Sequence, residues 1–383
     1  NSASVKTIPF EAFTVTQPAK TQAYNFEHIW RQTKEKLYDP GMNGADWERL
    51  YTTYKRFLPH INNGYDFAEM ASELLGELNV SHTGCRYHAP SSSLPVAQLG
   101  IIPDETYQGE GIRVAEVLSG GSLDVCKDIK AGSIITCIDG KKIEACADYY
   151  PMLAGKAGKA TRLSIKGEKK EIVVRPISWG KQEELLYKRW FRRNEHMVDS
   201  LSGGRLAYVH IEAMNAASFH EFYKNLLSEK NRMRDAVIVD TRHNGGGWLH
   251  NDVCIALSGK AYSRFTPRGK FIGNDPFDRW VKPSCMLVCE DNYSNAHGTP
   301  WLYKEMGIGK LIGAPVPGTM TAVWWENIGQ YTFGIPQVGT KDNRGNYLEN
   351  QQLEPDIECY VTPEDMLRGV DTQIQAAVKE LMK

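Results

Sequence analysis

Two buried strands that each end in a polar turn constrain this chain more than any other feature. The first strand, residues 236–239, is short, apolar and rich in β-branched side chains, and it leads into Asp240-Thr-Arg-His-Asn-Gly-Gly-Gly247. The second strand, residues 286–289, leads into Asn292-Tyr-Ser-Asn-Ala-His-Gly298. In a parallel sheet both turns lie at the carboxyl edge, where open α/β sheets place their sites. The sequence therefore predicts that Ser294 lies beside the backbone amides of the glycine turn.

The three consecutive glycines suit a site in which main-chain amides bind a developing oxyanion. Without Cβ atoms, their N–H groups are unshielded. A glycine-rich turn after a strand is nevertheless more often only a turn, and a serine in a polar loop is usually structural. The pattern alone therefore leaves a structural and a catalytic interpretation open.

The surrounding pattern is typical of an α/β fold. The strand at 205–211, the amphipathic helix at 218–230 and the strand at 236–239 follow one another as a βαβ unit, which favours a parallel sheet. Residues 25–76 carry helical periodicity, and residues 95–178 carry short β-runs separated by glycine turns. We expect two or three domains in 383 residues.

Composition argues against several classes of partner and cofactor. The 45 basic and 46 acidic residues give a formal charge of −1, so electrostatics give no reason to expect binding to nucleic acid or a membrane surface. No apolar run approaches the roughly 18 to 20 residues that span a bilayer. The eight cysteines form no Cys-x-x-Cys pair, and the histidines do not cluster in the sequence. The sequence therefore predicts no metal and no cofactor.

Three motifs together resemble the tricorn and carboxy-terminal processing protease superfamily. These are the glycine turn at 240–247, Tyr293-Ser-Asn-Ala-His297, and Gly307-Ile-Gly-Lys-Leu-Ile-Gly313. The resemblance implies a serine peptidase with a crotonase/ClpP-like α/β core, an N-terminal helical cap subdomain and an inserted PDZ-like β domain. It divides the chain into a linker at 1–24, a cap at 25–94, a PDZ-like domain at 95–178 and the core at 179–383.

The same resemblance implies a set of catalytic residues. Ser294 is the expected nucleophile, His82 the general base, and Ser81 and Glu349 the relay behind that base. Glu354 is the alternative to Glu349, because the segment at 348–356 departs from the family pattern at its glycine.

Two other residues are alternatives to His82 as the base for Ser294. Members of the other branch use a lysine roughly 25 residues after the serine, but Thr319 stands there, which excludes a Ser–Lys pair. His297 lies three residues after Ser294, on the helix that the family begins at the nucleophile. A base on the nucleophile's own helix is poorly aimed at its Oγ atom, so His82 is preferred, and His297 is assigned a substrate-side or structural role.

Backbone amides and peripheral residues complete the predicted site. The oxyanion is expected to bind the N–H of Asn295, at a helix start, and the N–H of Gly246 or Gly247. In the PDZ-like domain, Leu99-Gly-Ile-Ile102 (Leu99, Gly100, Ile101 and Ile102) is expected to bind peptide by strand addition. Asp275 and Asp278 are candidates for recognising a basic substrate residue.

Two functions follow from these expectations. The first is hydrolysis of oligopeptides or unfolded protein tails, without a metal. The second is a non-catalytic binding protein for peptide tails or hydrophobic ligands, since the same core occurs in such relatives. The alternating residues 5–16 resemble the exit from an N-terminal β-propeller, which predicts a longer polypeptide that assembles as a homo-oligomer.

Overall fold

The computed structural model describes residues 17–90 and 93–383. These residues form three regions with their own hydrophobic clusters: a helical cap, a small β region and an α/β region with apolar layers on both sheet faces. The strand expected at 5–16 lies outside the described residues. Within those residues, no helix combines the length and apolar character needed to cross a membrane.

The cap is built from three helices and a strand. These are α1 (Pro18–Lys36), α2 (Trp47–Lys55), α3 (Gly64–Gly76) and β1 (Gly84–Tyr87). The side chain of Asn63 caps α3 by accepting a hydrogen bond from the backbone of Asp66, and the apolar residues of α3 are buried in the cap cluster. Helix α1 begins at Pro18 rather than near Asn25 as predicted, because a proline is well tolerated in the first helical turn.

The small β region contains six strands in one antiparallel sheet. They are β2 (Ile101–Pro103), β3 (Ile112–Val117), β4 (Ile134–Ile138), β5 (Lys141–Lys142), β6 (Thr161–Ile165) and β7 (Ile172–Val174). Along the sheet the order is β2-β3-β4-β6-β7, with β5 paired to β4, so β2 lies at one edge.

The remaining elements follow in chain order. They are α4 (Trp179–Leu201), β8 (Leu206–His210), α5 (Ala216–Leu226), α6 (Glu229–Arg232), β9 (Ala236–Asp240), α7 (His250–Leu257), β10 (Ser263–Phe265), β11 (Gly273–Asp275), β12 (Ser284–Val288), α8 (Asn295–Glu305), β13 (Lys310–Gly313), β14 (Thr321–Ile328), β15 (Tyr331–Gly339), β16 (Ile357–Glu358), α9 (Pro363–Arg368) and α10 (Thr372–Leu381). The helix predicted at 218–230 is divided in two, because the side chain of Ser228 caps a new helix within the segment.

The central sheet has the order β16-β13-β12-β9-β8, and all its neighbouring strands are parallel. The turns after β9 and β12 therefore lie at the same edge, as the βαβ pattern predicts. The long hairpin β14–β15 follows β13 and forms a separate three-stranded sheet with β1 of the cap. That hairpin brings the cap against the carboxyl edge of the central sheet.

Candidate active site

Ser294 lies at the start of α8 in a backbone conformation that few residues adopt. Its φ of 58° is in the left-handed region. Its backbone N–H donates to Oγ1 of Thr319, at 2.8 Å. In the same turn, the side-chain amide of the fully buried Asn292 donates to the carbonyl of Thr241, at 3.0 Å. The turn after β12 is thereby fixed to the turn after β9.

The glycine turn is in contact with Ser294. A Cβ on Gly246 would lie 2.6 Å from Cβ of Ser294 and 2.7 Å from the carbonyl oxygen of Tyr293. A Cβ on Gly247 would lie 2.1 Å from the carbonyl oxygen of Met214. Both positions also have positive φ, so only glycine fits without strain.

The two glycine amides differ in what they bind. The Gly246 N–H donates to Oδ1 of Asn244, at 2.8 Å. The N–H groups of Gly247 and Asn295 make no hydrogen bond within the described part of the chain. Gly247 and Asn295 also line the cavity beside Ser294.

His82 reaches the site from the loop between α3 and β1. Its Nδ1 atom lies 2.7 Å from Oγ of Ser81 and 3.0 Å from Oγ1 of Thr321, and these two hydroxyls are 3.1 Å apart. The His82 backbone N–H donates to the phenol oxygen of Tyr293, the residue before Ser294, at 2.8 Å. The loop that carries His82 and the loop that carries Ser294 are thus directly bonded.

Glu349 lies behind Ser81. Its Oε1 atom accepts the backbone N–H of Ser81 at 2.6 Å, and the residue is only 5% exposed. Burial raises the pKa of this carboxyl, and its hydrogen bonds with Ser81 oppose the increase. Glu354, the alternative, is exposed and accepts from Gln352. The structure brings Glu349, and not Glu354, to the Ser81–His82 pair.

Burial also determines the charge of His82. Desolvation lowers the pKa of its imidazole to about 4, since the charged form loses hydration. The ring is therefore neutral near pH 7, the state that its expected role as a general base requires.

One cavity of about 840 Å³ contains the central residues of the predicted site. His82, Ser294, Asn295 and Gly247 line it together with Arg86. The rest of its wall is largely apolar, and its larger side chains are Trp248, Tyr293, Met320, Val323, Trp324, Trp325 and Val338.

Other predicted residues lie away from this cavity. His297 is 1% exposed and lines a separate cavity of about 190 Å³, and burial lowers its pKa to about 4. Asp275 pairs in the hairpin β10–β11, and Asp278 lies 3.6 Å from Arg232. Leu99 and Ile101 are buried in the separate core of the small β region.

No role for Thr321 or Tyr293 was predicted from the sequence. Thr319 was considered only because it stands where other members of the superfamily have a lysine. Thr319 and Thr321 stand two residues apart where the chain enters β14, and residues at that spacing share a face of a strand. That alternation was the available signal.

One group of metal-ligating side chains occurs within residues 17–90 and 93–383. It consists of His243, Cys289 and Asp291, whose ligand atoms all lie within 4.8 Å of one another. His243 and Asp291 are exposed and already bonded to each other at 2.9 Å. None of the three lines the cavity that contains Ser294.

Known protein families match successive parts of this chain. Three family models match in series: the tricorn protease C1 domain at residues 18–76, the tricorn protease PDZ domain at 107–178, and peptidase family S41 at 205–359. The chain is similar to the tricorn protease of Thermoplasma acidophilum (23% identical, covering 94% of this chain and 34% of that protein). It is also similar to tricorn protease homolog 1 of Streptomyces coelicolor (25% identical, covering 94% and 35%).

A solved structure shares the fold. The crystal structure of the tricorn protease matches with a TM-score of 0.84 at 22% identity, covering 97% of this chain and 38% of that one. The chain thus spans about a third of the length of the two named relatives.

Proposed function

Because the chain belongs to the tricorn-like superfamily of serine peptidases, we propose that it hydrolyses peptide bonds in oligopeptides or unfolded protein tails. The observation that carries the proposal is that Ser294 and His82 line one cavity, with Nδ1 of His82 bonded to hydroxyl groups. A serine hydroxyl is a weak nucleophile until a base removes its proton and a third group orients that base.

The proposed reaction starts with the neutral imidazole. When Nδ1–H of His82 donates to Ser81 or Thr321, the Nε2 lone pair is free to accept the proton of Ser294. Oγ of Ser294 then attacks the peptide carbonyl, and the imidazolium gives the proton to the leaving amine as the C–N bond breaks, which leaves an acyl-enzyme. Water that is deprotonated by His82 then attacks this ester, and the proton returns to Oγ of Ser294 as the carboxylic acid leaves. The buried carboxylate of Glu349, bonded to Ser81, stabilises the positive charge that forms on His82.

The oxyanion binds the N–H groups of Asn295 and Gly247 in this mechanism. Gly247 is preferred to Gly246 because the Gly246 N–H is already bonded to Asn244. Asn295 begins α8, where the helix dipole favours negative charge.

Further features belong to the same proposal. The α/β region at 179–383 is a crotonase/ClpP-like core, residues 18–94 are its cap and residues 95–178 its PDZ domain. Leu99-Gly-Ile-Ile102 ends on β2, an edge strand that can accept an added peptide strand. The full-length polypeptide assembles as a homo-oligomer, and sedimentation analysis of that polypeptide would detect only monomer if this is wrong.

The nucleophile is tested with a fluorophosphonate probe, which labels only an activated serine. We expect labelling of the unsubstituted protein, and neither labelling nor hydrolysis with Ser294→Ala. The kcat of His82→Ala should fall as far as that of Ser294→Ala, on the order of 10⁴- to 10⁶-fold. The double variant should lose little more, because such residues act as a unit.

The half-buried Ser258, bonded to Ile255 at the end of α7, provides a control, and Ser258→Ala should retain full activity. Labelling that persists in Ser294→Ala would contradict the assignment of the nucleophile. A large loss of activity in His297→Ala together with a small loss in His82→Ala would contradict the choice of base. An unlabelled, inactive protein would favour the binding function instead.

A further inference from the structure

Arg86 is a cation in the catalytic cavity that lacks a counter-ion. It lies on β1 close behind His82 in the sequence, and it lines the same cavity as His82 and Ser294. Its guanidinium stacks on the ring of Trp325, 4.7 Å from the ring centroid. Its side chain makes no hydrogen bond and no ion pair with any part of the chain that the structure describes. All its N–H donors are therefore available to a ligand.

The rest of the cavity wall provides no negative charge. No aspartate or glutamate is among its lining residues, and His82 is neutral near pH 7. The nearby Glu326 on β14 is bonded to Lys36 of the cap. Arg86, an exposed residue, is therefore the charged side chain among the residues that line this largely apolar cavity, and it makes the cavity electrostatically positive.

We propose that Arg86 binds a carboxylate of the substrate, so that this peptidase selects peptides with an acidic side chain or a free C-terminal carboxylate near the cleaved bond. The proposal rests on the proposed function, because it concerns the substrate of the same cavity. A planar guanidinium forms two parallel N–H···O bonds with a carboxylate, and stacking on Trp325 holds that plane in place. The site thus selects the opposite charge to the one that Asp275 and Asp278 suggested from the sequence.

The expected contribution follows from the type of bond. Hydrogen bonds to charged groups are about twice as strong as neutral ones, and losing one corresponds to a change on the order of 10- to 100-fold in kcat/KM. Because the substrate is bound this way before and during reaction, most of the change should appear in KM.

The test compares matched peptides of one sequence. One pair differs by Glu or Gln, placed in turn at each position flanking the cleaved bond. The second pair differs by a free or an amidated C-terminus. We expect the unsubstituted protein to prefer the acidic member of at least one pair by on the order of 10- to 100-fold, with a preference that weakens as salt is added. The pair that responds identifies the source of the carboxylate.

Substitutions then assign the preference to Arg86. Arg86→Gln should reduce the ratio of acidic to neutral substrate to about one, Arg86→Lys should retain part of it, and Arg86→Glu should favour peptides with Lys in the same position. Arg56 provides a matched control, since it also stacks on an aromatic ring, that of Phe57, but does not line the cavity. Arg56→Gln should leave every ratio unchanged.

The ratio of kcat/KM for acidic and neutral peptides separates substrate binding by Arg86 from a structural role. If Arg86 only supports the sheet, its substitution will reduce kcat/KM equally for acidic and neutral peptides, which would overturn the proposal. Equal cleavage of both members of both pairs by the unsubstituted protein would overturn it as well. An unsubstituted protein that neither hydrolyses any peptide nor reacts with fluorophosphonate would instead contradict the proposed function.

Discussion

Two hydroxyl groups, those of Ser81 and Thr321, lie within hydrogen-bonding distance of Nδ1 of His82. A histidine acts as a base through Nε2 only if Nδ1 keeps its proton, so an acceptor at Nδ1 fixes the reactive tautomer. The buried Thr321, at 4% exposure, was not predicted from the sequence. At the scale of single residues, the orientation of His82, the proposed base, therefore depends on a side chain from β14.

Thr321→Val tests this orientation, because valine keeps the shape of threonine and removes the hydroxyl. We expect kcat to fall about 2- to 10-fold, the value of one neutral hydrogen bond. Adding Ser81→Ala should reduce kcat by more than the product of the single losses, since each hydroxyl can replace the other. Thr332→Val, on the same sheet and bonded to His88, is the control. Steady-state kinetics that show no loss in the double variant would exclude a role for these hydroxyls.

The lowered pKa of His82 predicts activity in mildly acidic solution. Its ordinary value is 6.5 and burial lowers it to about 4, so the base remains neutral throughout that interval. We expect the acidic limb of kcat/KM to lie below pH 6.5, toward pH 4, because this profile reports the free enzyme. A limb at pH 6.5 or above would contradict a buried base.

Stability should change in the same interval. Burial lowers the pKa of His82 and His297, so between pH 6.5 and about 4 the unfolded chain binds protons that the folded chain does not. Stability contributed by the neutral rings is therefore complete above pH 6.5 and falls on acidification. Assaying the samples after their return to pH 7 separates this loss of stability from protonation of His82.

At the scale of elements, the glycine turn after β9 and the turn before α8 are packed without space for a side chain. Gly246→Ala would place its Cβ 2.6 Å from Cβ of Ser294. Displacing the nucleophile by about 1 Å can cost on the order of 100-fold in rate, so we expect that loss in kcat.

A second glycine separates this contact from backbone strain. Gly345 has a φ of 91°, close to the 95° of Gly246, but a Cβ there would have no neighbour within 4 Å. Gly345→Ala should show a similar backbone penalty without loss of activity. Equal activity losses in the two variants would indicate that strain, rather than contact with Ser294, is responsible.

At the scale of the whole molecule, a buried ion pair connects the catalytic edge to the C-terminal helix. Arg242, 4% exposed, bonds to the fully buried Asp240 and reaches Asp371 and Gln373 at the start of α10. Beside Arg242, the pKa of Asp240 is lowered despite the desolvation that opposes its ionisation. This contact fixes the ends of β9 and α10 together.

Arg242→Met would leave the charge of Asp240 buried without a counter-ion, with hydrogen bonds only from the Tyr208 hydroxyl and the backbone N–H of residue 242. We expect a loss of about 3 to 5 kcal/mol in the free energy of unfolding, measured by urea denaturation. Arg205→Met is the matched control, because its pair with Asp235 is more than half exposed and should contribute less than about 1 kcal/mol. Comparable small losses in both variants would show that burial does not strengthen the Arg242 pair.

The sequence by itself determined the features that depend on local pattern. Apolar runs followed by polar turns predicted the strands β9 and β12 and placed Ser294 near the glycine turn, and the family motifs pointed to His82 and Glu349. Only the tertiary structure decided what surrounds them. It brought Arg86 and Thr321 into the cavity, left Asp275 and Asp278 outside, and buried His297 elsewhere. The reason is that Ser81 and Thr321 meet across 240 residues of sequence, through the pairing of β1, β15 and β14. Such a register depends on side chains far apart in the chain, and no short stretch of sequence specifies it.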